Sequence, residues 1–234
     1  MMRFPEYEAL GVRVAAISDK SDGDCGFNAR DGGAARQRYF EQCGVSAESV
    51  VQAHQVHGNH VAVAGPGDGG RGTKRTDTAI PDTDALITAT PGLALGIRVA
   101  DCVPVYLFDP VRKAIGLVHA GRVGTMLDIA GATVTAMVQE FGTSPECLHA
   151  LIGPSAGPGA YEVSQEMADE FTAAGLPVTG RFLDLWQANF RQLAASGIPE
   201  NQISIVGECT ITGGRFHTHR GHPDGQRNLG LLML

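Results

Sequence analysis

The sequence has little charge and few aromatic side chains for its length. Charged residues account for 18% and aromatic residues for 6% of its 234 residues. The formal net charge is −7, so no positive field over the whole molecule could attract nucleic acid or an anionic membrane. Both are therefore excluded as general partners, although a local basic pocket for a small anion is compatible with this balance.

Long apolar segments and paired cysteines are also missing. No run approaches the roughly 18 uninterrupted apolar residues of a membrane span. The segment MMRFPEYEALGV lacks the apolar centre of a secretory signal. The five cysteines lie far apart and include no Cys-x-x-Cys pair, which argues against a disulfide framework. These absences exclude membrane-spanning, fibrous and small secreted proteins, and they predict a cytoplasmic protein.

Glycine, by contrast, is abundant, with 31 residues, which favours tight turns and close backbone approaches. Short β-type runs alternate with helical patterns, and the nearly continuous apolar runs in the middle predict strands buried on both faces. We expect one α/β domain over residues 1–234, with more sheet than a doubly wound fold needs. The predicted strands are 12–17, 50–56, 60–64, 84–88, 93–99, 103–108, 114–118, 148–152, 203–206 and 229–234, and the predicted helices are 34–43, 125–141, 164–175 and 184–197.

Three candidate metal ligands stand at the ends of predicted strands, next to turn-forming residues: His57, Cys102 and His119. Active-site groups gather at such positions in sheet-based folds. Two imidazoles and one thiolate suit Zn²⁺ with a fourth position left open, which is typical of catalytic rather than structural sites. Two alternatives stay open. Cys102 could be a buried hydrophobe, or a nucleophile with a histidine base, with Asp101 orienting either arrangement.

Three arginines are candidates for binding an anion. Arg98 lies four residues before Cys102, and strand alternation would place the two on one face. Arg122 directly follows the segment of His119, Ala120 and Gly121, whose glycine permits close approach of a ligand. Arg220 lies in a polar loop and could bind a phosphate with two parallel hydrogen bonds. Each could instead form an ordinary ion pair or lie in solvent.

Tyr161 and Glu162 are candidates for contacting a base or a sugar, with a purely structural corner as the alternative. His54 is the nearest competitor to the proposed ligand His57. It is excluded because, three residues away, it would point to the opposite face of an ideal strand.

Several short motifs follow one another in a fixed order along nearly the whole chain. They are Gln55-Val56-His57-Gly58, Asp84-Ala85-Leu86-Ile87, Ala100-Asp101-Cys102-Val103-Pro104-Val105, His119-Ala120-Gly121, Gly153-Pro154 with Tyr161-Glu162-Val163, and Cys209-Thr210. This ordered set resembles the laccase-domain family, also called multicopper polyphenol oxidase-like proteins. The resemblance implies a single α/β (α+β) domain of mixed β-sheets sandwiched by helices.

The resemblance also implies chemistry. In the family the three motif residues matching His57, Cys102 and His119 bind one zinc, and they would be the catalytic residues here. Members are described as purine nucleoside phosphorylases, so the expected ligands are phosphate and a purine nucleoside such as adenosine, inosine or methylthioadenosine, with Arg98, Arg122 and Arg220 as substrate or phosphate contacts. Adenosine deamination is a further activity of the family. We expect a monomer or a small homo-oligomer.

Two other activities follow from the same resemblance. Bacterial members include the peptidoglycan editing factor, which implies an amidase that removes a wrong amino acid from a cell-wall precursor. Copper-based phenol oxidation ranks last, because the chain has a single His-x-His, His217-Thr218-His219, among eight histidines. The chain also departs from the family where Arg122-Val123-Gly124 replaces Trp-Arg-Gly, and where Gly221 takes the place of a second arginine after Arg220.

Overall fold

The computed structural model describes all 234 residues. The strands are β1 (Met2–Arg3), β2 (Val14–Ile17), β3 (Val50–Gln52), β4 (Val61–Val63), β5 (Ala85–Thr88), β6 (Ala94–Val99), β7 (Val103–Asp109), β8 (Ala114–Ala120), β9 (His149–Ile152), β10 (Val178–Thr179), β11 (Phe182–Leu183), β12 (Ile203–Ile205) and β13 (Asn228–Met233). The helices are α1 (Pro5–Leu10), α2 (Ala34–Gln42), α3 (Arg122–Met126), α4 (Ile129–Phe141), α5 (Gln165–Ala173) and α6 (Leu185–Ala195). None of these helices is long and apolar enough to cross a membrane.

Most strands belong to two mixed sheets. The first has the order β1-β2-β13-β6-β3, and the second has the order β12-β9-β7-β8-β5-β4. In the first sheet β13 pairs antiparallel with β2 and β6, whereas β3 runs parallel to β6. In the second sheet β7 and β8 form a long antiparallel hairpin, with parallel pairs at both edges. This arrangement confirms the expected mixed-sheet α/β fold.

Alternating side chains explain why the two sheets stack face to face. In β2, Ala15 and Ile17 pack into the cluster between the sheets, while Val14 and Ala16 pack outwards against α2. In β7, Tyr106 and Phe108 point into the same inner cluster. The neighbouring residues of β7 face the helices on the far side of the second sheet. Both sheets are therefore buried on both faces, which is why their strands read as continuous apolar runs.

Tyr106 links the sheets with a polar contact inside this apolar layer. Its hydroxyl donates a hydrogen bond to the carbonyl of Ala16 at 3.0 Å, and its own carbonyl accepts one from Tyr7 at 3.1 Å. Gly230 of β13 makes room for the ring, because a Cβ there would lie 2.7 Å from the Tyr106 hydroxyl oxygen. The packing thus fixes how the two sheets lie against each other.

Several elements differ from their predicted limits. The helix predicted at 125–141 is interrupted at Asp128, whose φ of 54° ends α3 and whose carboxylate then caps α4 by accepting from Gly131. The strand predicted at 50–56 ends at Gln52, because the chain beyond it turns towards the second sheet. The sequence analysis missed α1 and the β10–β11 hairpin, which are short and carry little periodic signal.

Candidate metal centre and its cavity

Two connections between the sheets form the centre of the candidate site. One runs from β3 to β4 and carries His57, and the other runs from β6 to β7 and carries Cys102. Non-glycine residues in both have left-handed backbone, with φ of 62° at His57 and 84° at Asp101. Such backbone is costly for non-glycine residues and concentrates at functional sites.

The structure brings the three predicted ligands together. One ligand atom from each of His57, Cys102 and His119 can be chosen so that all lie within 4.8 Å of one another. His119 is buried at the end of β8, Cys102 is half-buried, and His57 is exposed. The cluster is therefore shielded from solvent on the side of His119 and accessible to solvent on the side of His57. His54 is not part of it; its Nδ1 lies 4.0 Å from the exposed carboxylate of Asp82.

Gly121 allows this close approach. A Cβ at that position would lie 2.9 Å from Nδ1 of His57 and 3.1 Å from Sγ of Cys102. Real Cβ atoms do not tolerate the first distance, so any larger residue would push two of the three ligands aside. The glycine after His119 and Ala120 is thus a steric requirement of the cluster.

Asp84 holds two of the three cluster residues in place through hydrogen bonds. It was not predicted as a site residue. It is fully buried, and its Oδ1 contacts Nδ1 of His119 at 2.7 Å. The same carboxylate accepts hydrogen bonds from the backbone N–H groups of Val56, His57 and Gly58 at 3.1, 3.0 and 2.8 Å. One side chain therefore shapes the turn that carries His57 and holds the ring of His119. By occupying Nδ1, it leaves Nε2 of His119 free to bind a metal.

Electrostatics in the cluster favour the thiolate form of Cys102. Burial alone would raise the pKa of its thiol, but His119 and His57 outweigh burial and lower that pKa to about 6. Burial would likewise lower the pKa of His119, but the Cys102 thiolate and the Asp84 carboxylate raise it to about 9. Since the thiolate is the form that ligates metals and attacks carbon, the site is prepared for either role.

A cavity of about 510 Å³ opens beside the cluster. This volume lies within the range of roughly 300–1,000 Å³ that is typical of small-molecule sites. Its lining includes all three cluster residues and four arginines, Arg98, Arg122, Arg220 and Arg227. Arg227 was not predicted, because only the tertiary fold brings the C-terminal loop beside β6.

Arg98 lies in the cavity, but not for the reason expected from strand alternation. Strand β6 ends at Val99, and the bend that follows breaks the register between Arg98 and Cys102. The guanidinium donates to the side-chain oxygen of Gln52 at 2.5 Å and to the carbonyl of Ala53 at 2.9 Å. No carboxylate pairs with it, so the expected alternative, an ion pair in the core, is not what the structure shows.

Arg122 and Arg220 flank Tyr161 on another part of the wall. The guanidinium carbon of Arg220 lies 5.3 Å from the centre of the Tyr161 ring. Arg122 lies 3.7 Å from the exposed carboxylate of Glu170 and donates to Sδ of Met126 at 3.6 Å. Burial and Cys102 raise the pKa of Tyr161 above its ordinary value, against the smaller opposing effects of Arg220 and Arg122.

Two candidates from the sequence have structural roles instead. Asp101 does not orient a cluster ligand. Its carboxylate accepts from the Thr210 hydroxyl at 2.7 Å and from the backbone N–H of Arg220 at 2.6 Å, which fixes the loop that carries Arg220. Glu162 pairs with Arg181 and does not line the cavity, so of the two neighbouring candidates only Tyr161 reaches the site.

Comparison with known proteins places these features in a family. Residues 22–234 match the family model described as multi-copper polyphenol oxidoreductase laccase. "Purine nucleoside phosphorylase ORF3" of Streptomyces griseus is 37% identical over 212 residues, covering 86% of this chain and 81% of that protein. "Purine nucleoside phosphorylase YlmD" of Bacillus subtilis is 32% identical over 197 residues, covering 79% of this chain and 70% of that protein.

A solved structure shows the same fold. The crystal structure of the hypothetical protein YfiH of Bacillus licheniformis superposes with a TM-score of 0.91 at 29% identity, covering 100% of this chain and 96% of that one. The resemblance seen in the motifs is thereby confirmed. The chain belongs to the multi-copper polyphenol oxidoreductase laccase family.

Proposed function

We propose that this protein is a metal-dependent purine nucleoside phosphorylase. The observation that carries the proposal is the cavity that joins a His-Cys-His cluster to four arginines, of which only Arg122 has a carboxylate neighbour, the exposed Glu170 at 3.7 Å. Phosphorolysis needs a site for a nucleoside and a site for inorganic phosphate next to it. The names of the relatives from Streptomyces griseus and Bacillus subtilis support the same activity.

The donor set fits a metal such as Zn²⁺. Two imidazole nitrogens and a thiolate are ligands that zinc prefers, and three protein ligands leave one position for substrate or water. The lowered pKa of Cys102 and the hydrogen bond from His119 to Asp84 prepare two of the three donors. When bound there, the metal would supply Lewis acidity to a substrate oxygen or to water. This is one three-ligand cluster, whereas multicopper oxidation needs several histidine-rich centres, so copper oxidase chemistry remains the least favoured reading.

The protein's own residues would bind and orient the two reactants. In the proposed reaction an oxygen of inorganic phosphate bonds to the anomeric carbon of the ribose as the bond from that carbon to the purine nitrogen breaks. The products are the free base, which takes a proton, and ribose 1-phosphate. Arg122 and Arg220 are placed to hold the phosphate, because a guanidinium can bind two phosphate oxygens at once. Tyr161 offers a ring face beside them for the sugar or the base.

The direct test measures metal content and nucleoside turnover together. Purified protein is expected to contain about one zinc per chain and to convert adenosine, inosine or methylthioadenosine to the free base only when phosphate is present. Release of ammonia without phosphate would identify deamination instead. No turnover of any purine nucleoside would refute the proposal.

Amide hydrolysis is the second candidate, and the Cys102–His119 pair favours it. A thiol with a lowered pKa beside an imidazole is the arrangement of cysteine nucleophiles. If the metal-stripped protein cleaves an aminoacyl amide of a cell-wall precursor and loses that activity on thiol alkylation, this reading replaces phosphorolysis.

A further inference from the structure

A second group of arginines lies in and directly behind the cavity wall, apart from the pair at Tyr161. Arg98 stacks on Phe27, with the guanidinium carbon 3.2 Å from the ring centre. Next to Phe27, Gly26 accepts a hydrogen bond from Arg36 at 2.6 Å. The side chain of Arg227 also reaches Gly26, whose Cβ position would lie 3.6 Å from Cγ of Arg227. Three arginine side chains therefore approach one short segment of loop, and the guanidinium of Arg227 donates a hydrogen bond to the carbonyl of Gln226 at 2.8 Å.

This group, Arg36, Arg98 and Arg227, has no carboxylate partner. None of the three takes part in an ion pair, although the chain as a whole is acidic. The carboxylate in the adjoining loop is Asp24, and its Oδ1 accepts instead from the backbone N–H groups of Gly26 and Arg227. Burial lowers the pKa of Arg36, and the nearby Cys25, Asp24 and Asp31 offset that effect in part. Arg98 and Arg227 have no direct carboxylate pair, and guanidinium groups without one are costly in a partly buried setting, which favours an anion supplied from outside.

The arginines of this group are also held in place. The guanidinium of Arg98 donates hydrogen bonds to Gln52 and Ala53. Its backbone N–H donates to the side-chain oxygen of Gln55 at 2.9 Å, and its carbonyl accepts from the side-chain nitrogen of Gln55 at 2.7 Å. Arg36 is 5% exposed and lies behind the wall, while Arg98 and Arg227 line the cavity. Burial and the charges of Arg36 and Arg227 lower the pKa of Arg98, so its charged form is disfavoured. A bound anion would stabilise that charged form. A rigid, positive wall of this kind is preorganised for an anion.

The two arginine groups serve different anions if phosphorolysis is the reaction. Arg122 and Arg220 stand at Tyr161, near the His-Cys-His cluster, and suffice for one inorganic phosphate. The group at Phe27 then remains for a negative charge carried by the other reactant. Arg98 and Arg227 line the same cavity as Arg122 and Arg220, so a reactant bound in that cavity has access to both groups.

We propose that Arg98 and Arg227, backed by Arg36, form a second anion subsite that binds the 5′-phosphate of a nucleoside monophosphate. The substrate class of the cavity then includes purine nucleotides as well as nucleosides. This inference rests on the proposed phosphorylase function for the role of the ligand, but the binding it requires can be measured without turnover.

Titration calorimetry with adenosine and adenosine 5′-monophosphate tests the subsite. The wild-type protein is expected to bind the monophosphate at least about tenfold more tightly, as two charge-assisted hydrogen bonds imply. In R227Q this preference should fall to about threefold or less, since one of the two cavity arginines is gone. The matched control is R38Q, which removes the same charge from the exposed face of α2 and should keep the wild-type preference.

Steady-state kinetics separate the two subsites. R220Q should raise the KM for inorganic phosphate more than it weakens monophosphate binding, and R227Q should show the reverse order. If R227Q instead raises the KM for phosphate and keeps the wild-type preference, the group at Phe27 is the phosphate site and the proposal is overturned. Equal binding of adenosine and its monophosphate by the wild type would also overturn it.

Failure of the phosphorylase function gives a different pattern. No nucleoside would then be cleaved, yet calorimetry would still show a monophosphate preference that R227Q abolishes and R38Q keeps. Should R227Q fail to fold, R227K provides the test. A lysine keeps the charge but lacks the forked donors, so R227K should retain only part of the preference.

Discussion

Replacing Asp84 with asparagine perturbs both the turn of His57 and the ring of His119. The two oxygens of Asp84 accept four hydrogen bonds, two on each oxygen. The asparagine amide has the same shape, but one of its two sides carries N–H donors instead of lone pairs. Whichever way the amide is oriented, two donors of the protein then face a donor group in a fully buried position.

The size of the effect follows from this count. Hydrogen bonds to a charged group contribute about 1.5–3 kcal/mol each, and a buried donor left without a partner costs about 1–3 kcal/mol. Because D84N disrupts a buried network of this kind, we expect its free energy of unfolding to be lower than that of the wild type by about 3–5 kcal/mol. Loss of the partner that orients a ligating histidine also weakens metal binding by roughly 10–100-fold.

Two measurements check this prediction. Competition with a chromophoric chelator gives the zinc affinity of D84N against wild type, and urea unfolding gives the difference in unfolding free energy. D82N is the matched control, because Asp82 lies two residues away and its side chain is exposed. Zinc affinity in D84N equal to that of wild type would show that Asp84 does not orient the proposed ligands.

Three further outcomes are expected. C102A should abolish metal retention and nucleoside turnover while keeping a folded circular dichroism spectrum, since a chain of this length does not need a metal for its core; global unfolding of C102A would instead make the metal structural. Y106F should lower the unfolding free energy by about 1 kcal/mol, because the carbonyl of Ala16 loses a buried donor, and an unchanged urea midpoint would contradict that. Burial raises the pKa of Asp19, but hydrogen bonds from Ser21 and Arg215 outweigh it and lower that pKa to about 2, so its stabilising contribution is present above about pH 4 and is lost as the pH falls towards 2. The stability difference between wild type and D19N, measured by urea unfolding, should therefore shrink below about pH 4; a difference independent of pH would refute the assignment.

The ligand cluster could be anticipated because His119 lies at the end of β8, Cys102 directly precedes β7, and the turn-forming Gly58 follows His57, although β3 itself ends earlier, at Gln52. The resemblance carried by the ordered motifs further implied that these three positions bind one zinc. The sheet class was equally accessible, since strands buried on both faces appear as continuous apolar runs. The ligand positions and the sheet class could therefore be predicted from short stretches of sequence.

The supporting residues were harder to find, because their roles depend on contacts between distant segments. Asp84 acts on a turn 26 to 28 residues earlier in the chain. Arg227 reaches the cavity only because β13 lies beside β6 in the middle of the first sheet. The register from Arg98 to Cys102 failed for a related reason: the chain leaves one sheet after Val99 to enter the other, and alternation does not survive that bend.

Two of the four crossings between the sheets also connect the candidate site to the mechanics of the fold. His57 and Cys102 lie on separate connections that leave the first sheet, while His119 belongs to the second sheet. A metal bound by all three residues would link the β3–β4 and β6–β7 connections to β8 of the second sheet, and so hold the two sheets together at these connections. Amides of residues 54–58 and 100–102 should then exchange hydrogen more slowly in the loaded protein, while those in the middle of β13 keep their rate. Release of such a metal would then be coupled to separation of the two layers at these crossings.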